Sequence, residues 1–109
     1  MILRGIGFVA FLVFVWTAQA MASFETGNDL IEMCANQNLA RCYGYLEGVS
    51  DVMNDGNPAL GWAACIPLHV RSRQLRDAVI QYLQNHIGDR HLGGGGLVAA
   101  AYQATWPCR

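Results

Sequence analysis

Four cysteines in a chain of 109 residues, Cys34, Cys42, Cys65 and Cys108, restrict the accessible folds more than any other feature. Their meaning depends on compartment, because thiols stay reduced in the cytosol and pair in oxidising spaces. The N-terminus decides between the two. Arg4 supplies a short positive region, Ile6 to Trp16 is an apolar run broken only by Gly7, and Ala18-Gln19-Ala20 is a small-x-small cleavage signal. As a helix this run rises about 16 Å, roughly half the hydrocarbon thickness of a bilayer. A cleaved secretory signal peptide over 1–20 is therefore expected, with cleavage after Ala20 or, by the Ala20-Met21-Ala22 alternative, after Ala22. The first cysteine lies far from this junction, so lipid attachment at a new N-terminus is not expected. The mature domain, 21–109, reads as exported and soluble, with no stable membrane insertion after cleavage.

Export turns an even number of cysteines in a small domain into an expectation of two disulfides. Zinc is the rival use of such residues. It is disfavoured by the lack of a C-x-x-C pair and by the scatter of His69, His86 and His91 relative to the thiols. No metal or other cofactor is expected. Residues 21–109 hold six Arg, no Lys and eight Asp/Glu, a net charge of −2. That balance disfavours a nucleic-acid partner held by bulk basicity.

The mature part reads as all-α. Leu75, Ala78, Val79, Tyr82, Leu83 and His86 recur at helical spacing, which predicts a helix over 68–86 with Pro67 at its first turn and Gly88 beyond its end. Leu39, Cys42, Tyr43, Leu46, Val49 and Met53 form a second stripe, over 39–54, stopped by Asn54-Asp55-Gly56-Asn57-Pro58. A short helix over 28–35 has Thr26 or Asn28 as its cap and Asp29 and Glu32 near its positive end. The last helix is expected over 97–105. Gly93-Gly94-Gly95-Gly96 precedes it, and each glycine costs about 1 kcal/mol against alanine inside a helix, so this run is expected to be a connector. Without a preceding strand or a lysine, it does not read as a phosphate loop.

These helices suggest a cysteine pairing. In one continuous helix Cys34 and Cys42 would stand about 12 Å apart, beyond disulfide reach. A break at Asn36-Gln37-Asn38 would fold the first two helices into a hairpin and bring the two thiols together. An antiparallel arrangement of the last two helices would likewise join Cys65, before one, to Cys108, after the other. The expectation is Cys34–Cys42 with Cys65–Cys108 in a four-helix bundle, a crossed pairing being the alternative. Chain entropy assigns about 2.6 kcal/mol to the shorter loop and about 4 kcal/mol to the longer. Such staples matter in a domain whose core is small.

No catalytic constellation stands out. Ser23, Ser50 and Ser72 lack a motif, paired cysteines are not nucleophiles, and Glu47 with Asp51 has the ordinary spacing of a solvated helix face. His86 reads as a helix-end residue. Arg71, Arg73 and Arg76 crowd the start of the third helix, where the macrodipole disfavours cations by about 0.3–1 kcal/mol each. Arg73 and Asp77 are spaced to offset part of that. Trp62 sits among turn residues in 55–64, as a lid on the core or a binding anchor. Trp62, Arg71, Arg73, Arg76 and His91 are the candidate partner contacts.

The ordered set Asn28-Asp29-Leu30 with Cys34, Cys42-Tyr43-Gly44-Tyr45-Leu46-Glu47-Gly48-Val49-Ser50-Asp51, Cys65-Ile66-Pro67, Gln74, Tyr82-Leu83, His86, Leu97-Val98 and Trp106-Pro107-Cys108 resembles the Rap/Tai family of type VI secretion immunity proteins. The C-x-x-Y-x-x-G and C-x-P segments and the terminal aromatic-Pro-Cys carry most of that likeness, which covers 28–108. It departs from the family at Ile87 and at the tetraglycine, both in the connector before the last helix. The resemblance implies a periplasmic, disulfide-bonded helical domain that neutralises a cell-wall amidase effector. It also implies a homodimer that obstructs the enzyme's substrate cleft with helices and a projecting loop. The alternative on size and compartment is a periplasmic acid-stress chaperone. Two disulfides disfavour it, since they restrain the acid-induced opening such a protein needs.

Overall fold

The computed structural model describes residues 24–35 and 39–109. The expected signal peptide and the expected break at 36–38 lie outside these residues. Among the described residues four α-helices follow one another: α1 (Gly27–Ala35), α2 (Ala40–Val52), α3 (Ser72–Asn85) and α4 (Gly94–Thr105). Single 3₁₀ turns at Asn54–Gly56 and Ile87–Asp89 flank the two longer connections. Among the described residues there is no strand beyond the isolated bridges Thr26–Gly93 and Ala59–Trp62. Each helix touches the other three.

The expected cysteine pairing is present, joining Cys34 to Cys42 and Cys65 to Cys108. The Cα atoms of Cys34 and Cys42 are 5.1 Å apart, a separation that α1 and α2 reach only as a hairpin. Both of these sulfurs are buried, whereas Cys65 and Cys108 belong to exposed residues.

The core lies where the four helices converge on α4. Leu30 and Met33 from α1, Leu46 from α2, and Leu75, Val79 and Leu83 from α3 surround Leu97, Val98, Ala99, Ala101 and Tyr102. Each large side chain so buried stabilises the fold by about 1.5–3 kcal/mol. Every residue from Leu97 to Tyr102 is buried, so α4 has apolar contacts on all sides. A helix buried all round loses the polar stripe that reveals helical periodicity, which is why this segment gives the weakest helix signal in the sequence. Tyr102 carries the one polar group deep in this set, and its hydroxyl donates to the Leu46 carbonyl of α2 at 2.7 Å. Burial, with a smaller contribution from the Glu47 charge, pushes this phenol well above its ordinary range.

The tetraglycine differs from expectation, since α4 begins at Gly94 with Gly93 in extended geometry as its cap. Close packing explains the difference. A Cβ on Gly94 would lie 3.0 Å from the Tyr45 hydroxyl and 3.1 Å from the Glu25 carbonyl oxygen. The start of α4 thus presses against α1 and α2 at a distance that a side chain would widen.

The two helix starts cap each other through the backbone. Gly27 and Asn28, at the start of α1, donate to the carbonyls of Leu92 and Arg90 at 3.1 and 2.9 Å, and Gly94 donates to Glu25 at 2.7 Å. These bonds satisfy donors that every helix N-terminus leaves open. Thr26 takes the α1 cap, its hydroxyl accepting from the Asp29 N–H at 3.3 Å while Asp29 accepts from the Thr26 N–H at 2.9 Å. That reciprocal arrangement is a capping box.

Helix α3 starts at Ser72, four residues later than the apolar spacing suggests, because 68–71 remain outside it. Its start is fixed by Gln74, whose side-chain oxygen accepts from the Arg71 N–H at 2.8 Å. Arginine has no acceptor to return the bond. At the other end His86 is the helix-terminating residue, its Nδ1 2.8 Å from the Tyr82 carbonyl, and Arg90 donates to the Leu83 carbonyl at 2.9 Å. A guanidinium at that position suits the negative end of the helix dipole.

Candidate functional site

The connection between α2 and α3 carries a tight reversal at its tip. Ala59 and Trp62 exchange backbone hydrogen bonds at 2.8 and 2.9 Å, leaving Leu60 and Gly61 as a two-residue turn. Both central residues have positive φ, 52° at Leu60 and 89° at Gly61, as the tightest hairpin turns require. Glycine adopts this geometry freely. Leucine does not, and the left-handed region costs a residue with a Cβ about 1–2 kcal/mol. The Leu60 side chain is 72% exposed, so little burial offsets that strain. Strained residues of this kind cluster where structure serves binding or catalysis.

Three restraints hold the reversal against the bundle. The Ala63 N–H donates to the Gln103 side chain of α4 at 3.0 Å, and the Cys65 N–H donates to the Trp106 carbonyl at 2.8 Å. The Cys65–Cys108 disulfide then ties the same stretch to the segment after α4. A tip this exposed would otherwise fray; here its base is fixed to the most buried helix.

Beside the tip opens a cleft of about 630 Å³, within the size range of ligand-binding pockets. Trp62 and Leu60 form one wall, Tyr45 of α2 and Tyr82 of α3 another, and Phe24 and Leu92 the rim, over a floor of Gly95, Gly96, Leu97 and Ala100. Two carboxylates, Glu25 and Asp89, also face it. Glu25 pairs with Arg41. Burial raises both tyrosine phenols above their ordinary range, Tyr45 with a further contribution from Glu25 and Tyr82 with one from Asp89. His86 stacks on Tyr82 with ring centres 3.8 Å apart and holds that ring from behind.

The residues singled out from the sequence do not form one site. Trp62 stands in the cleft wall at 38% exposure, an exposed aromatic side chain. His91 is exposed on the connector next to the rim residue Leu92. Arg71, Arg73 and Arg76 lie at the opposite end of α3, and the rise from Ser72 to Tyr82 is about 15 Å. Arg71 and Arg73 are exposed. Arg76 approaches its neighbour Asp77 at 3.4 Å, so the ion pair forms there and not between Arg73 and Asp77. Leu60, Tyr45, Tyr82 and Asp89 were not visible as site residues in the sequence. Tyr82 continues an apolar helical stripe, and Leu60-Gly61 lacks the Asn-Gly or Asp-Gly signature of a hairpin tip.

Among the described residues no group of three or more His, Cys, Asp or Glu side chains is placed to hold a metal ion. None of their helices is long and apolar enough to cross a membrane.

The sequence model of the Rap1a immunity proteins matches residues 26–108, from the Thr26 cap to the final disulfide cysteine. The chain belongs to the Rap1a immunity protein family. Both disulfides, the four described helices, the Leu60-Gly61 turn and nearly the whole cleft lie within the matched span, and membership implies that this family member binds a cognate effector. No curated protein and no solved structure matches the chain.

Proposed function

We propose that this Rap1a family member is an exported type VI secretion immunity protein. In this reading it binds a peptidoglycan amidase effector in the periplasm and blocks that enzyme's substrate cleft. The observation that carries the reading is the Leu60-Gly61 turn, an exposed leucine kept in a strained conformation at the tip of a hairpin fixed to α4. An exposed, pre-shaped apolar tip suits insertion into an enzyme cleft, and pre-shaping lowers the ordering cost of binding. Trp62 serves as the anchor beside the tip, with His91 near the cleft rim. Arg71, Arg73 and Arg76 are a peripheral surface for acidic groups of the partner. An effector that cleaves peptidoglycan acts outside the inner membrane, so the signal peptide over 1–20 would put inhibitor and target in one compartment. The resemblance also supports a homodimer, which sedimentation of the mature chain would test.

The direct experiment measures amidase activity on purified peptidoglycan with increasing inhibitor. Trp62→Ala is expected to weaken inhibition about 30-fold or more, as for a central aromatic anchor. Leu60→Gly keeps the turn geometry, removes the tip side chain and is also expected to weaken inhibition. Full potency of both variants would remove the tip from the mechanism. Broad acid-dependent capture of unrelated proteins, with no amidase inhibited, would favour the chaperone alternative.

A further inference from the structure

The cleft beside the turn is apolar in its walls yet contains a carboxylate that the fold leaves unused. The Asp89 side chain is half-buried and has neither hydrogen bond nor ion pair among the described residues, its backbone alone being engaged. Arg41 is committed to Glu25, and Arg90, next to Asp89 in the chain, to the Leu83 carbonyl. Trp62 and Tyr82 present aromatic rings in the same cleft. Asp89 is close enough to contribute to the upward shift of the Tyr82 phenol, after burial, so its negative field reaches the cleft wall.

We propose that the cleft is a receptor for a cationic side chain, an arginine or lysine, projecting from the effector. The inference rests on the immunity reading above and adds a reciprocal contact, in which the partner inserts into this protein beside the place where the Leu60 tip inserts into the partner. Charge complementarity selects the occupant. A purely apolar group would strip water from Asp89 and leave it unpaired, which is costly. An anion would be repelled by the unpaired Asp89. A cation pairs with Asp89, and its charged head is attracted to the faces of Trp62 and Tyr82. The volume of about 630 Å³ leaves room for residues flanking the inserted side chain.

The test has two arms. N-acetyl-arginine methylamide and its norleucine counterpart are titrated into the oxidised mature protein, with amide and indole resonances followed by NMR. Saturable shifts at the Trp62 indole and at the amides of 89–96 are expected with the arginine probe and not with norleucine. Asp89→Asn should abolish the preference while leaving the spectrum dispersed. Equal response to both probes, or no arginine-selective response up to the solubility limit, overturns the proposal. In the second arm Asp89→Asn is compared with the unmodified protein as an amidase inhibitor. The expected loss is about tenfold or more, shrinking as salt is raised. An amidase inhibited equally by both proteins refutes the cation receptor while the immunity reading stands. If neither protein inhibits the amidase, the immunity reading fails, and the probe arm still decides what the cleft binds.

Discussion

Glycine-to-alanine substitution should act with opposite sign at different helical positions of this fold, and the sign follows from the space beside each α-carbon. In α2, Gly48 is exposed and a Cβ there would meet nothing within 4 Å. Alanine is favoured over glycine by about 0.8–1 kcal/mol in a helix interior, so Gly48→Ala should stabilise by nearly that amount. At Gly27, the first residue of α1, a Cβ would fall 2.7 Å from the Leu97 Cδ1 and 2.9 Å from both the Cα and the carbonyl oxygen of Arg90. The leucine tip can turn aside, but the Arg90 backbone cannot without moving the connector. That connector accepts the Gly27 and Asn28 hydrogen bonds at 3.1 and 2.9 Å, so displacement lengthens both. Overpacking costs about 1–3 kcal/mol, and weakened hydrogen bonds add to it at about 0.5–1.5 kcal/mol for each bond lost. Against this stands a helix-propensity gain of at most about 1 kcal/mol. The expected net loss for Gly27→Ala is about 1–3 kcal/mol. Thermal unfolding of the oxidised mature chain, followed by far-ultraviolet circular dichroism, reads both changes at about 4–8 °C per kcal/mol. A Gly27→Ala protein as stable as its parent would refute the close packing of α1 on the 90–92 connector, and a Gly48→Ala protein that loses stability would refute the open space beside Gly48.

Other expectations concern the buried tyrosine and the disulfides. Tyr102→Phe removes the bond to the Leu46 carbonyl and should cost about 0.5–1.5 kcal/mol in urea unfolding. Burial first, and Glu47 second, raise the Tyr102 phenol above its ordinary value of 10.0. Its contribution to stability is thus complete below about pH 10 and is lost as pH rises toward the folded-state value, with a slope that Tyr102→Phe should reduce. Replacing Cys34 and Cys42 by serine should cost about 2.6 kcal/mol, and replacing Cys65 and Cys108 about 4 kcal/mol, by loop entropy. Because Cys65 and Cys108 are exposed and the other pair is buried, timed reduction and alkylation read by mass spectrometry should open the 65–108 bond first.

Different physical signals made different parts of this molecule legible from sequence. Helices α2 and α3 each pack one face and solvate the other, so their apolar stripes are plain, whereas α1 is announced by its cap and first-turn carboxylates. The disulfides followed because helix geometry leaves Cys34 and Cys42 out of reach without a break. The start of α4 departs from the propensity-based expectation because helix propensity is a local quantity, whereas Gly94 answers a tertiary demand, the approach of Tyr45 and the Glu25 carbonyl. The cleft was hidden for a related reason. Tyr45, Tyr82, Asp89 and Leu60 come from four separate segments, and nothing in their spacing announces that they meet. The tip was harder still, since its two-residue turn uses a leucine where the favoured residue is asparagine or aspartate.

In the proposed reading, that leucine links stability to function. A turn selected for stability alone would place asparagine at position 60, which tolerates positive φ far better than leucine. The chain instead accepts an exposed, strained side chain and surrounds it with restraints: Gln103 on Ala63, Trp106 on Cys65, and the Cys65–Cys108 bond. All three attach within or just after α4, the helix with the deepest burial, so the geometry of the tip is referred to the centre of the core. The same helix supplies Gly95, Gly96, Leu97 and Ala100 to the cleft floor. Tip and cleft therefore share one foundation. Loosening α4, for example by Gly94→Ala with its close contacts to Tyr45 and Glu25, should degrade both at once, even though Gly94 does not line the cleft.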